Sequence, residues 1–221
     1  MKTPESIKVN GVSEALIQGS EDWLLERVGY LTASNLSKAL AKTKSGVSSS
    51  RSGEISKIIA ERSTGKPVIT HTNFNMQRGK DEEPFGRMAY EIFIRQEVQQ
   101  VGFVKHKAID NFGASPDGLV GTDGLVEIKC PQSNTHVDYL RDNKVPSKHK
   151  LQMIAQCLCT GRKWVDFVSF DSRLGEDLEL FVIRYTPSKK ELEETEKEVV
   201  IFLNEVEETF KNLREKHGKK H

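Results

Sequence analysis

The chain has 221 residues, and its 33 Lys and Arg side chains nearly balance 32 Asp and Glu, giving a formal net charge of +1. This length suits one domain that buries its core without disulfides or a structural metal. A composition of 36% hydrophobic and 29% charged residues excludes a disordered or fibrous chain. No apolar run predicts a membrane span and the N-terminus lacks a signal-peptide core, so we expect no membrane partner. The three cysteines, Cys130, Cys157 and Cys159, are a poor disulfide framework and predict reduced, mostly buried thiols in a cytoplasmic protein.

In chain order, the sequence predicts helices, then strands with one more helix, then a long final helix. Ser20 is placed to cap a first turn, and the Ser- and Gly-rich residues 44–53 predict a loop. Ser188 and Glu191 form a capping box at the start of the final helix. The other predicted helices cover 54–63, 77–96 and 147–160, and the predicted strands cover 98–104, 113–115, 125–128, 164–170 and 178–185. This order predicts a single α/β or α+β domain with a central mixed sheet flanked by helices.

Charge is distributed unevenly along the chain. Residues 27–80 contain ten Lys or Arg and two Glu, a formal +8, whereas residues 191–208 contain eight Glu and one Lys, a formal −7. A total near zero therefore does not exclude a polyanionic partner. A basic segment rich in Ser, Thr and Asn suits contact with a phosphate backbone, although a solvated face is the simpler interpretation.

Asp117 and the pair Glu127 and Lys129 form the pattern that carries chemistry. Asp117 follows a predicted strand, and strand alternation puts Glu127 and Lys129 on the same face of the next one. Two carboxylates on neighbouring strand ends, with the carbonyl of Ile128 between Glu127 and Lys129, are the oxygen ligands of a hard divalent cation. Lys129 can orient the attacking water or contact the scissile phosphate. This is the pattern of the PD-(D/E)XK nucleases, and a turn Asp beside a surface Glu–Lys pair is the alternative.

Two further polar residues lie where they can join this group. Glu83 precedes the apolar positions of the predicted helix over 77–96 and can offer another carboxylate. Gln152, on the helix predicted over 147–160, has an amide that can bind a water or a phosphate. A solvated helix acid and a surface amide are the plain alternatives.

A set of ordered blocks resembles the phage lambda exonuclease family, a branch of the PD-(D/E)XK fold. The blocks, spread over about residues 20–185, are Trp23 with Arg27 to Ser34, Gly79-Lys80 with Glu83, Ser115 to Gly118, Glu127 to Pro131, Gln152, and Thr160 to Trp164. The resemblance implies a magnesium-dependent exonuclease, with two ions per active site and Mn²⁺ as an alternative. It would degrade one strand of linear duplex DNA from its 5′ end and leave 3′ overhangs. A homotrimeric ring and a partner single-strand annealing protein are also implied.

The resemblance also assigns residues. It implies metal binding by Asp117, Glu127 and the Ile128 carbonyl, an outer carboxylate at Glu83, a catalytic Lys129 and a motif glutamine at Gln152. Arg27, Ser34 and Ser115 match positions that bind the 5′-phosphate, a role that suits a guanidinium and two hydroxyls. A contact with the DNA end falls on Lys44 or Arg51, and Met76 matches an apolar wedge between two nucleotides.

The resemblance divides the single domain into three parts. Residues 1–80 would be a basic, helical DNA-binding part, 81–185 the catalytic core, and 188–216 an acidic amphipathic helix. Three alternatives remain: an endonuclease or junction resolvase of the same fold, a non-catalytic DNA-binding accessory protein, and an interaction module built on the acidic helix.

Overall fold

The structure is a computed structural model and describes residues 8–9, 12–13, 18–43, 46–69 and 74–218. Its helices are α1 Glu21–Glu26, α2 Leu36–Ala39, α3 Ser49–Thr64, α4 Phe74–Ile94, α5 Ser133–Asp142, α6 Ser147–Thr160 and α7 Lys189–His217, with a 3₁₀ helix at Ala33–Asn35. Its strands are β1 Lys8–Val9, β2 Val12–Ser13, β3 Leu31–Thr32, β4 Lys42–Thr43, β5 Gly46–Val47, β6 Val104–Lys105, β7 Phe112–Ala114, β8 Gly118–Val120, β9 Gly124–Lys129, β10 Trp164–Phe170 and β11 Leu180–Tyr185.

Two mixed sheets lie at the centre of the fold. The larger has the order β11-β10-β9-β8, in which β9 and β10 are parallel and the outer pairs are antiparallel. The smaller has the order β3-β7-β6, with β3 parallel to β7. The pairs β1-β2 and β4-β5 are separate ribbons. Mixed sheets with helices packed against them confirm the predicted α/β class.

Alternate residues of β9 face different helices. Ile128 lies in a buried cluster with Tyr90 of α4, whereas Leu125 lies in a cluster with Met153 of α6. Side chains alternate across a strand, so the odd-numbered residues of β9, Glu127 among them, face α6. The strand therefore directs its polar side chains toward one particular helix.

Gly86 lets α4 approach the larger sheet closely. A Cβ atom at this position would lie 3.1 Å from both Ile128 Cγ2 and Phe170 Cβ, which is tighter than an ordinary contact. Pro84 lies inside the same helix. Because Glu83 is less than one turn away, the close packing at Gly86 also fixes where this carboxylate meets the sheet.

Several predicted elements are confirmed. The helix predicted over 147–160 is α6, which ends at Gly161 in the left-handed region with φ 72°. The strand predicted over 164–170 is β10, and the capping box of Ser188 and Glu191 opens α7. Ser20 caps α1 by accepting a hydrogen bond from the Trp23 N–H at 3.2 Å.

Two local predictions are wrong, and one helix was not predicted. Helix α3 begins inside the loop predicted over 44–53, because Ser48 Oγ accepts a hydrogen bond from the Arg51 N–H at 3.1 Å and caps it there. The strand predicted over 98–104 is reduced to β6 at its end, with Gln99 in an isolated bridge. Helix α5 was not predicted, because its buried face uses His136, whose ring nitrogens bond Ser169 Oγ and the Leu178 carbonyl.

The basic segment and the acidic helix α7 meet in the folded chain. Three cations of the segment form ion pairs with α7: Lys42 with Glu198 at 2.8 Å, Arg51 with Glu205 at 2.6 Å, and Arg62 with Glu207 at 2.5 Å. Part of the formal +8 is therefore neutralised within the fold. Those side chains hold α7 against the N-terminal part of the domain.

The apolar stripe of α4 faces outward. The helix predicted over 77–96 is confirmed, but its large apolar side chains are 57–72% exposed: Phe85 57%, Met88 58%, Ile92 72% and Phe93 62%. A stripe with this spacing usually faces a core. Here the smaller Gly86 and the buried Tyr90 face the sheet instead. An apolar helix face of this extent marks a surface suited to contact with another molecule.

Two further findings concern the cysteines and the apolarity of the helices. Cys130, Cys157 and Cys159 are buried free thiols. Among the described residues, no helix combines the length and the apolarity that crossing a bilayer requires.

Candidate active site

Asp117 and Glu127 are brought together by the antiparallel pairing of β8 and β9. The register pairs Gly118 with Val126, so the residues one step outward, Asp117 and Glu127, lie side by side. Asp117 Oδ2 accepts a hydrogen bond from the Ile128 N–H at 2.6 Å, which fixes the carboxylate against β9. The structure therefore brings the two predicted strand-end carboxylates together.

Glu127 is fully buried and accepts from three side chains. Its Oε1 receives the amide of Gln152 at 2.6 Å and forms an ion pair with Lys129. Its Oε2 receives the amide of Gln156, from the next turn of α6. The face of β9 that points toward α6 thus carries a carboxylate held on both oxygens, beside a partly exposed lysine.

The electrostatics of this group are those of crowded carboxylates. Burial raises the pKa of Asp117 well above its ordinary value, and neighbouring Glu127 raises it further, against the lowering effect of Lys129. Burial also raises the pKa of Glu83, which Lys129 and Arg87 partly offset. Burial opposes the charge of Lys129, yet the surrounding carboxylates raise its pKa above the usual range. Lys129 therefore stays protonated at neutral pH, with three carboxyl groups around it.

The donor set fits a hard divalent cation. Within residues 18–43, 46–69 and 74–218, no three His, Cys, Asp or Glu side chains are grouped so that they could hold a metal ion by themselves. What the site offers is two carboxylates, Asp117 and Glu127, with Ile128 next to Glu127 in β9 and Glu83 close enough to interact with Lys129 and Glu127. These are the oxygen ligands of Mg²⁺, which typically keeps several waters. Burial raises the pKa of Asp117 most and repulsion by Glu127 adds to it, and a bound cation would favour the ionised carboxylate against both.

A cavity of about 140 Å³ adjoins Asp117 and contains the three residues expected to bind a 5′-phosphate. It is lined by Gln18, Trp23, Arg27, Thr32, Ala33, Ser34, Ser115, Asp117 and Gln152. Trp23 organises one wall: the Arg27 guanidinium lies 3.7 Å from its ring centroid, and its indole N–H donates to Ser115 Oγ at 3.1 Å. Burial lowers the pKa of Arg27 to about 10, so the guanidinium stays charged at neutral pH.

The three residues expected at the DNA end are placed differently from one another. Arg51 is only 8% exposed, and its guanidinium donates to Glu205 and, at 2.5 Å, to the Ala39 carbonyl. This buried position suits a structural role and not a contact with DNA. Met76 lies in the first turn of α4 and is 48% exposed, whereas Lys44 lies outside the described residues.

Two site residues were missed by sequence reasoning. Gln156 was overlooked, although its spacing of four from Gln152 on a predicted helix places both amides on one face. Arg78 of α4 donates from Nη2 to the Cys130 carbonyl at 2.8 Å and also to the Pro131 carbonyl, joining α4 to the end of β9. No local pattern marks Arg78, because its partners are backbone atoms distant in sequence.

The mixed sheet, its flanking helices and the Asp117, Glu127 and Lys129 arrangement define a protein of the PD-(D/E)XK nuclease fold. A family model described as a YqaJ-like viral recombinase domain matches residues 22–163, more than half of the chain. The chain belongs to this family, which confirms the resemblance to the lambda exonuclease family. Among curated proteins none gives a significant match.

Solved structures agree with this assignment. The alkaline exonuclease LHK-Exo from Laribacter hongkongensis shares 40% identity with a TM-score of 0.83, over 89% of this chain and 97% of that one. The same enzyme in complex with dAMP gives a TM-score of 0.84 at 40% identity and the same coverage. A phage related exonuclease from Haemophilus somnus 129PT, at 12% identity and a TM-score of 0.65 over 83% of this chain and 96% of that one, shows the shared fold alone.

Proposed function

We propose that the protein is a magnesium-dependent exonuclease that degrades the 5′-ended strand of linear duplex DNA and leaves 3′ single-stranded overhangs. The observation that carries this proposal is one cavity in which Arg27, Ser34 and Ser115 adjoin Asp117 and Gln152. A terminal phosphate seated there lies beside the carboxylates. LHK-Exo, 40% identical over 89% of this chain, is an alkaline exonuclease. Its complex with dAMP, a deoxynucleoside monophosphate, supports mononucleotides as the products.

The phosphate cavity sets polarity by binding one kind of DNA end. Arg27 stays charged and can bind two phosphate oxygens at once, while the Ser34 and Ser115 hydroxyls donate to the others. Trp23 keeps Arg27 and Ser115 in place through its ring face and its N–H. A phosphate held here puts the next phosphodiester within reach of Asp117, so hydrolysis begins at a 5′ end.

The carboxylates would hold the metal. Asp117, Glu127 and the Ile128 carbonyl would bind one Mg²⁺, with Mn²⁺ as the alternative, and Glu83 would serve a second ion or its water. When bound, the divalent ions supply charge neutralisation at the scissile phosphodiester and make the attacking water more acidic. The excess negative charge of the site is thereby balanced.

Lys129 acts as a charged donor and not as a general base. The carboxylates around it raise its pKa, so its ammonium keeps its protons at neutral pH. It is anchored by Glu127 Oε1, and its side chain is 32% exposed, so a phosphate of the substrate can reach it. From there it orients the attacking water or steadies the scissile phosphate.

The functional unit we infer is a homotrimeric ring that acts with a single-strand annealing protein in the bacterial cytosol. The exposed apolar face of α4, with Ile92 72% and Phe93 62% exposed, supports an assembly, since contact between subunits would bury it. A single domain of this size needs further copies to enclose a duplex.

The polarity is tested with linear duplex DNA that carries a 5′-phosphate on one strand only. The expected result is loss of the phosphorylated strand from its 5′ end, release of mononucleotides and survival of the complementary strand. Loss from 3′ ends would overturn the polarity. Cleavage of a covalently closed circle would favour the alternative, an endonuclease of the same fold.

The assembly is tested by placing a charge on α4. Ile92→Glu should convert the oligomer to monomers in sedimentation experiments, because burying an unpaired carboxylate in an interface is costly. The matched control is Ile201→Glu, at a 55% exposed position of α7. An unchanged oligomer in Ile92→Glu would exclude this face from the subunit contact.

A further inference from the structure

Gln156 is a polar side chain at a fully buried position. It lies in the middle of α6, is fully buried, and has the same helical face as Gln152, four residues earlier. Its Nε2 donates to Glu127 Oε2, on the opposite side of that carboxylate from Gln152 and Lys129. Two amides one turn apart thus hold both oxygens of one buried carboxylate.

We propose that Gln156 is a positioning residue that fixes the Glu127 carboxylate for metal binding. The proposal rests on the function proposed above. The two oxygens of Glu127 face different surroundings: Oε1 is shared by Gln152, which lines the substrate cavity, and Lys129, which is partly exposed. Oε2 is turned toward the interior and Gln156. The oxygen that meets a metal is therefore Oε1, and Gln156 holds the oxygen that does not.

A second observation favours a role for the Gln156 N–H beyond packing alone. Its own Oε1 is buried and has no hydrogen-bond partner among the described residues. Rotating the amide to rescue that oxygen would press it against Glu127 Oε2, where two acceptors repel. An apolar side chain of the same length would avoid the orphaned oxygen, so the amide at this position serves Glu127.

Residues that orient a metal ligand typically change metal affinity by ~10–100-fold when replaced. In Gln156→Met, which keeps the length of the side chain, we expect Mn²⁺ to bind ~10–100-fold more weakly by calorimetry. The Mn²⁺ concentration for half-maximal cleavage should rise by a similar factor, while kcat at saturating Mn²⁺ recovers toward the wild-type value. Binding of 5′-phosphorylated DNA without metal should not change.

The controls separate positioning from stability. Cys157→Ala removes packing from the next residue of the same helix, and we expect a lower Tm with unchanged Mn²⁺ affinity. Glu127→Gln should abolish the Mn²⁺ signal in the wild-type background. Gln156→Leu gives a second apolar variant should Gln156→Met fail to fold.

Two results would overturn the inference, and they differ. Unchanged Mn²⁺ affinity in a folded Gln156→Met or Gln156→Leu protein would reject the positioning role alone. A wild-type protein that binds Mn²⁺ no better than Glu127→Gln would reject the metal site of the proposed function, and the positioning role with it.

Discussion

Two charged regions of this protein are built in opposite ways. Where β4 and α3 meet α7, each cation has its own carboxylate, as in the pairs of Lys42 with Glu198 and Arg51 with Glu205. At the end of β9, Asp117 and Glu127 share Lys129, and burial and repulsion raise the pKa of Asp117. Charge matched pair by pair holds elements together. Charge left in excess inside a protein calls for a ligand of opposite sign.

The sharpest test of this comparison removes one of the carboxylates crowded at the end of β9. Asp117→Asn keeps the shape of the side chain and should lower DNA cleavage by about 10³-fold or more, because a ligand used in the transition state is lost. DNA binding should remain. Cleavage by the purified variant is measured on linear duplex DNA with metal present.

A matched control exists for this variant. Asp142 also precedes a Lys by two residues, but it lies at the end of α5 and pairs with Arg141 and Lys144. Asp142→Asn should cleave DNA at the wild-type rate. Equal activity of Asp117→Asn and Asp142→Asn would refute the site.

The sequence predicted the carboxylates around Lys129 far better than the ion pairs with α7. Asp117, Glu127 and Lys129 fall on two neighbouring strands, so local pattern and strand alternation were enough to bring them together. The pairing of Arg51 with Glu205 joins residues 154 positions apart, and no local pattern marks it. The family resemblance offered Arg51, as an alternative to Lys44, for a contact with the DNA end, whereas tertiary packing buries Arg51.

The same limit applied to the helices. Apolar spacing predicted α4 and α6 correctly. It could not indicate that Ile92 of α4 would be exposed, because periodicity shows that a helix has an apolar face but not what packs against that face. Helix α5 was missed since its buried face is carried by His136. Gln156 could have been found from its spacing to Gln152, since two amides four residues apart lie on one face of a helix.

The next largest effect is expected at the ion pairs that hold α7 against β4 and α3. Arg51→Leu removes the ion pair with Glu205 and leaves the Ala39 carbonyl without its donor, so the variant should lose about 1–3 kcal/mol of unfolding free energy in urea. Lys42→Ala, whose side chain is 72% exposed, should lose less than about 0.5 kcal/mol. If Arg51→Leu instead keeps its stability and weakens DNA binding in a salt-dependent way, Arg51 is a DNA ligand after all.

A smaller effect is expected at the phosphate cavity. Arg27→Ala should slow digestion of 5′-phosphorylated ends by about 10–100-fold, the value of a charged hydrogen bond, and leave 5′-hydroxyl ends nearly unaffected. The comparison is made with single-turnover rates on both ends. Lys66→Ala, an exposed cation of the same segment, serves as the control. An unchanged ratio between the two ends in Arg27→Ala would reject the cavity as the phosphate site.

The smallest effect concerns how stability depends on pH. Folding raises the pKa of Asp117 and Glu83, so in the metal-free protein these groups stabilise the fold fully below their ordinary values of about 4. That contribution is lost as pH rises through the raised values of the folded state. A divalent cation binds the ionised carboxylates, so Mg²⁺ should raise Tm by a few degrees at pH 8 and by much less at pH 5. In Asp117→Asn, where one of the crowded carboxylates is gone, the metal-free protein should be less sensitive to pH and the shift with Mg²⁺ smaller. Equal Tm shifts with Mg²⁺ at pH 5 and pH 8 would mean that the cation does not bind the carboxylates crowded at the end of β9. The contrast between those carboxylates and the ion pairs with α7 would then fail.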